Sequence, residues 1–214
     1  MNDNFPGGGA ALPSLPHTGD TVLPVPPGKI ASVVTHLEMR ARPAPLREKP
    51  EAGLALRRVQ KPDLAWYRAL FRRVGEDWLW FSRLAMDDAR LAAIVHHPAV
   101  EIYALRRGGR DEGLLELDFR FDPDVELAFF GVAPGLIGSG AGRYLINRAN
   151  DLVWPRAPRR FTVHTCTHDH PAALPFYLRA GFVAVGRDLE MVDDPRLSGL
   201  LARSAAPGVP VIAL

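Results

Sequence analysis

The segment Val125-Glu-Leu-Ala-Phe-Phe-Gly-Val-Ala-Pro-Gly-Leu-Ile-Gly-Ser-Gly-Ala-Gly-Arg-Tyr-Leu145 passes from an apolar run, through a glycine-rich turn, into a helical pattern. The apolar run predicts a buried strand. Beyond the turn, Ala141, Tyr144, Leu145, Ala149, Leu152 and Val153 recur at the spacing of one helical face, and Pro155 stops the helix after Trp154. Gly138, Gly140 and Gly142 stand where the chain must turn from strand to helix. Glycine lets the backbone bend there and leaves its N–H groups uncovered. A helix start adds unpaired donors and about half a positive charge. Together these suit a phosphate or pyrophosphate. Two phosphate motifs are excluded. A P-loop needs Gly-Lys-Ser/Thr, but Ala141 and Gly142 follow Gly140; a dinucleotide fingerprint needs a small residue where Arg143 stands.

What remains resembles motif A of the GNAT superfamily of acyl-CoA-dependent N-acyltransferases, in the frame Ile137-Gly138-Ser139-Gly140-Ala141-Gly142. Ile137 replaces the usual Gln or Arg. A second segment, His170-Pro-Ala-Ala-Leu-Pro-Phe-Tyr-Leu-Arg-Ala-Gly-Phe182, resembles motif B of the same superfamily. Ala173, Tyr177, Gly181 and Phe182 match in frame, and His170 replaces the usual Asn. The resemblance covers about 54–189.

Outward from these motifs, the chain divides by composition. Residues 1–29 are rich in Gly and Pro and read as a flexible arm. Residues 30–53 read as an extra strand (Ile30 to Arg40) followed by a linker; that strand offers itself to a sheet edge or to a partner subunit, which leaves a homodimer open. Residues 54–192 read as the acetyltransferase-like domain, and 193–214 as a tail with a short helix near Leu197 to Ser204. Within the domain, Leu54 to Val59 alternates as a strand, and Pro62-Asp63 starts a helix over Leu64 to Val74. A second short helix follows Met86-Asp-Asp88. Strands at Val100 to Arg106 and Leu114 to Phe121 form a hairpin. Arg160 to Thr165 and Val183 to Met191 are the last strands. The order predicts an α+β, mixed α/β fold. The resemblance implies a mixed, mostly antiparallel central sheet flanked by helices and splayed at the strand that meets the cofactor.

With 47% hydrophobic and 23% charged residues, the composition is that of a globular protein. A net charge of +2 gives no electrostatic case for nucleic acid or a membrane surface. The single cysteine, Cys166, excludes an internal disulfide and suits a reducing cytoplasm. His164, Cys166, His168 and His170 alternate along one face. Their spacing of about 6.6 Å does not fit zinc ligands about 2 Å from an ion, so no metal is expected; His164 or His168 is instead a candidate acceptor-site residue.

The resemblance implies acetyl-CoA as co-substrate and direct transfer to a small-molecule or peptide amine in a ternary complex. It assigns the cofactor to Phe130, Gly131, Val132, Gly138, Ser139, Gly140, Ala141, Gly142, Arg143, His170, Ala173 and Tyr177. Pantetheine would pair with the strand edge near Phe130 to Val132, Val132 N–H would bind the thioester oxygen, and Tyr177 would be the acid that protonates the leaving thiolate. Acyl transfer also needs a neutral amine, hence a base. Glu126 on the organising strand is one candidate and Glu116 on its neighbour another, because a carboxylate beside an apolar sheet can become basic. Trp78, Trp80, Phe81, Glu116 and Asp118 are expected at the acceptor. Two other classes remain open: an acyl-CoA sensor without catalysis, and an interaction protein with a vestigial cleft.

Overall fold

In the computed structural model, which describes residues 20, 22–48 and 53–213, the organising strand lies in the middle of a seven-stranded sheet. The elements in chain order are β1 (Lys29–Met39), β2 (Ala55–Val59), α1 (Leu64–Gly75), α2 (Asp88–Val95), β3 (Val100–Arg107), β4 (Arg110–Asp118), β5 (Asp124–Val132), α3 (Ala141–Val153), β6 (Arg160–Cys166), α4 (Ala173–Arg179) and β7 (Val183–Asp193). The sheet order is β2-β3-β4-β5-β6-β1-β7. Every neighbouring pair is antiparallel except β5 with β6. This is the expected α+β fold, a mostly antiparallel mixed sheet between helices.

Local chemistry fixes the helix starts. The Asp63 carboxylate accepts from Trp66 N–H at 2.8 Å and opens α1; Asp87 does the same for Arg90 at 2.7 Å and opens α2. The helices cover opposite faces of the sheet. On one face Leu115, Leu117, Val125, Leu127, Phe161 and Val163 pack against α3 and α4. On the other Ile102, Ala104 and Leu114 pack against α1 and α2. Strands β3 and β4 are therefore buried on both sides, which is why they read as nearly continuous apolar runs.

Strands β5 and β6 pair over three positions only, Asp124↔Arg160, Val125↔Phe161 and Glu126↔Thr162. Beyond Glu126 they part, and Leu127 to Val132 has no strand partner on that side. The clamp at the joint is ionic: Asp124 accepts from Arg159 Nη2 at 2.6 Å and from Arg160 Nη2 at 2.5 Å.

Two expectations outside the motifs change. The strand read as an addition at an edge or to a partner lies inside the sheet, between β6 and β7, with His36 opposite His164 and Val34 opposite Asp188. Its alternation suits any half-buried strand, so its pattern carried no information on its neighbours. The helix expected at Leu197 to Ser204 is absent; hydrogen-bonded turns take its place. Gly199 adopts φ +75°, which breaks a helix. The buried Arg196 instead ties the segment down, pairing with Asp194 at 2.8 Å and donating to the carbonyls of Ala205 at 3.0 Å and Val209 at 2.8 Å. Leu201, Ala205 and Ala206 thereby join the core under α1. The arm read over 1–29 falls almost wholly outside the described residues.

Candidate active site

The glycine turn is built to present amides. A single 3-10 turn at Pro134–Leu136 leads to Gly138 at φ +82° and Gly140 at φ +101°, and α3 begins at Ala141. Both φ values lie in the region that side chains disfavour, so glycine is required at these two positions. Ser139 Oγ accepts from Ala141 N–H at 3.2 Å and donates to the Leu136 carbonyl at 2.8 Å. The N–H groups of Gly142 and Arg143, in the first turn, have no intrahelical acceptor. Gly142 lies under Phe176, where a Cβ would come to 3.7 Å from the ring. Arg143 Nε is buried without a partner. Ile137 is 42% exposed and offers nothing polar. These residues fit a diphosphate held by backbone and helix dipole, with Arg143 the cation beside it.

Phe130 of β5 meets two aromatic side chains of α4, Phe176 and Tyr177. Phe130 stacks on Phe176 at 5.6 Å and meets Tyr177 at 5.9 Å. Tyr177 is buried, its hydroxyl has no hydrogen-bond partner among the described residues, and burial raises its pKa well above that of a free phenol. The backbone of β5 alternates in what it offers. Ala133 N–H donates to the Glu112 carbonyl at 2.7 Å, so Val132 and Gly113 form a non-hydrogen-bonded pair. The Val132 N–H, and that of Phe130 two residues earlier, therefore point away from β4 toward the opening. Gly131 does not share this role, because its amide is spent on β4. It is glycine because a Cβ would lie 2.6 Å from Val74 Cγ1 and 3.0 Å from the Trp80 ring. His170 closes the turn before α4: its Nδ1 accepts from Ala172 N–H at 3.0 Å and its carbonyl accepts from Ala173 N–H at 2.7 Å.

The acids separate into two groups. Glu126 lies on the open face at the last paired position of the joint, with 19% of its side chain exposed. Its Oε1 is 3.4 Å from Nδ1 of His164. Both line a groove of about 420 Å³ with His36, Glu38, Asp124 and Thr162. Desolvation works against a charged His164. The Glu126 contact, with Asp169 and Glu190, outweighs it, so the imidazole holds its proton to higher pH than free histidine. Glu116 and Asp118 are not in this groove. Glu116 is wholly buried beneath α1, taking a hydrogen bond from the Tyr67 hydroxyl and one from Arg83 Nη2 at 2.6 Å. Asp118 is equally buried and is held by Arg120 at 2.6 Å. With both carboxylates closed to solvent and occupied by cations, neither can meet an amine. This corrects their assignment as base and acceptor contacts.

The aromatic cluster is likewise mostly structural. Trp80 packs on Phe71 and Phe129 at 5.4 and 5.3 Å, and its Nε1–H donates to Asp169 Oδ1 at 3.1 Å. Asp169 Oδ2 accepts from Thr165 Oγ1 at 2.6 Å and Cys166 N–H at 2.9 Å, so Trp80 braces the turn between β6 and α4. Phe81 is partly buried in the same core. Of the three, Trp78 alone reaches motif B, edge-on to His170 at 4.9 Å. His36 on β1, and Asp188 and Glu190 on β7, were missed; they reach the groove face through long-range pairing that leaves no local signal. Among the described residues no three His, Cys, Asp or Glu side chains converge as metal ligands would, and no helix is long and apolar enough to cross a membrane.

Comparison with known proteins agrees with this geometry. No curated protein matches the chain. It is similar in structure to a GCN5-related N-acetyltransferase from Sphaerobacter thermophilus, with TM-score 0.56, 13% identity, and coverage of 86% of this chain and 54% of that one. A conserved protein of unknown function from Staphylococcus epidermidis gives TM-score 0.53 and 14% identity over 78% of this chain and 63% of that one, so the chain spans less than two thirds of both relatives. A protein assigned to the GNAT family from Novosphingobium aromaticivorans gives TM-score 0.52 and 16% identity over 78% of this chain and 67% of that one. At these identities the likeness is one of fold. The profile of the acetyltransferase (GNAT) family matches residues 64–182, which hold the glycine turn, the splayed strands and the helix of Tyr177. The chain therefore belongs to the acetyltransferase (GNAT) family.

Proposed function

We propose that the protein transfers an acetyl group from acetyl-CoA to a primary amine by direct attack in a ternary complex. The observation that carries this reading is the parting of β5 from β6 beside the glycine turn, which opens a gap with Tyr177 on one side and the Glu126–His164 pair on the other. The donor supplies an acyl group activated as a thioester. The amides of 138–143 and Arg143 hold its diphosphate. The exposed edge of Phe130 and Val132 pairs with its extended arm, and Val132 N–H is a donor for charge developing on the carbonyl oxygen.

Tyr177 serves the sulfur. A thiol has a pKa of about 8.5 and a phenol about 10, and burial raises Tyr177 further. Full proton transfer from Tyr177 to a thiolate is therefore uphill. Its role is a hydrogen bond that stabilises the departing sulfur, a narrower role than acid. On the opposite side, the Glu126–His164 pair accepts the amine proton. The acceptor lies in the groove on that side, near Glu126 and open to solvent, which suits a small amine or the side chain of a peptide. The reading places the enzyme in the cytoplasm, with its acetyl donor and a reduced Cys166.

Calorimetric titration with acetyl-CoA, with ATP and NAD as controls, tests the donor site, and thiol release with a panel of primary amines tests transfer. Selective binding followed by release is expected. Ile137, apolar at the turn, favours one second reading, a sensor that binds acyl-CoA without transfer. Binding with no release from any amine would select it, and no binding would remove both.

A further inference from the structure

The geometry points to His164, oriented by Glu126, as the group that takes the proton from the acceptor amine; this rests on the acetyl-transfer reading. A carboxylate on β5 is the obvious base, and Glu126 occupies the place for one. Its surroundings argue for a different division of labour. Glu126 and Thr162 are the last paired residues before the strands part. His164, two residues further along β6, turns its ring back so that Nδ1 is 3.4 Å from Glu126 Oε1. A carboxylate beside Nδ1 favours the proton on that nitrogen, which leaves the Nε2 lone pair free, the arrangement in which imidazole acts as base and carboxylate as orienter. Nε2 has no hydrogen-bond partner among the described residues, the side chain is 41% exposed, and the ring lines the groove. The separation of 3.4 Å is long for a hydrogen bond, and pairs of this kind tighten when substrate binds.

Energetics favour the same assignment. A base works best with a pKa near the working pH. A free imidazole, at about 6.5, is close to it. The groups facing His164 are Glu126 on β5, His36 on β1, Asp188 and Glu190 on β7, and Asp169 after β6. Asp188 is already paired with His36 at 2.7 Å, and Asp169 with Trp80 and Thr165. Glu190 acts on the ring more weakly than Glu126 or Asp169, so Glu126 is the partner that sets the imidazole. In the step itself the amine nitrogen bonds to the carbonyl carbon. The carbon–sulfur bond breaks with its electron pair going to sulfur, beside Tyr177. The proton shed by nitrogen ends on His164 Nε2 and leaves to water through the groove.

Three proteins decide this: wild type, His164→Gln and Glu126→Gln. Each is followed by CoA thiol release with acetyl-CoA and the amine panel across pH 5 to 9, and by NMR titration of the His164 imidazole. If His164 is the base, His164→Gln lowers kcat by roughly a hundredfold or more and abolishes the acid limb of the pH profile. Glu126→Gln lowers kcat less and moves that limb to lower pH. The NMR titration of His164 shifts to lower pH by the same amount, because the imidazole has lost its anionic partner. A larger loss in Glu126→Gln than in His164→Gln would overturn the assignment and make Glu126 the base. So would a His164 titration that does not move when Glu126 is replaced. If wild type releases no thiol with any amine, the acetyl-transfer reading itself falls, a result distinct from either of these.

Discussion

Tyr177 and Gly131 show how differently two residues of the two motif segments can be constrained. The Tyr177 ring is held by Phe130, Phe176 and Phe182, yet its hydroxyl has no hydrogen-bond partner among the described residues. Tyr177→Phe should therefore change folding stability by less than about 1 kcal/mol, since no internal hydrogen bond is lost. It should lower turnover by roughly tenfold to a hundredfold through the missing donor to sulfur. Chemical denaturation and steady-state kinetics on one preparation check both halves, and equal turnover would remove Tyr177 from the chemistry. Gly131 is the reverse. A methyl there would meet Val74 at 2.6 Å from behind the strand. Gly131→Ala should cost about 1–3 kcal/mol and lower Tm by about 2–4 °C per kcal/mol, and β5 must shift to accommodate it.

Among the elements, β4 carries the largest buried charge. Glu116 and Arg83 are almost fully enclosed, with Tyr67 completing the network and Arg83 lying over Phe129 at 5.0 Å. Taking charges out of water is costly, and the pair repays it only while both partners are present. Glu116→Ala should destabilise the fold by about 3–5 kcal/mol by stranding Arg83. Pairing it with Arg83→Met should recover most of that loss. Urea denaturation of the single and double variants checks this. If the single variant were fully stable but catalytically dead, Glu116 would have to be returned to the active site. The network also holds α1 and the segment with Trp80 against β4 and β5, which keeps the floor of the cleft rigid.

For the molecule as a whole, the joint between the two halves of the sheet is held by one carboxylate paired with two arginines. Hydrogen bonds from Arg159 and Arg160 hold the Asp124 carboxyl well below the usual carboxylate range. Its folded pKa is thus lower than its unfolded one of about 3.9. The resulting stability is fully present above that unfolded value and is lost as pH falls through the folded value. Asp124→Asn should therefore be less stable than wild type at neutral pH. The difference should shrink as pH drops below about 4. Thermal melts from pH 7 to pH 2 check this. A constant gap at every pH would mean that Asp124 acts by packing alone. Because Asp124 clamps the short β5–β6 pairing that opens into the cleft, Asp124→Asn should also weaken acetyl-CoA binding at neutral pH.

The chain alone settled the local and covalent constraints. The glycine turn at Gly138 and Gly140, the helix starts at Pro62-Asp63 and Met86-Asp-Asp88, the apolar runs of β3 to β5 and the frame of Tyr177 all follow from residue type over a few positions, and so does the fold class they compose. Pairing across the molecule was not available from it. β1 lies between β6 and β7 although they are distant in sequence, because any half-buried strand satisfies the same pattern. Glu116, Asp118 and Glu126 are all acids on strands, and their sequence neighbours do not distinguish them. Folding put Arg83 and Tyr67 against the first, Arg120 against the second, and left the third facing His164 in a groove. Partners brought from distant positions set burial and charge, and these decide which acid is spent on stability and which is left for chemistry.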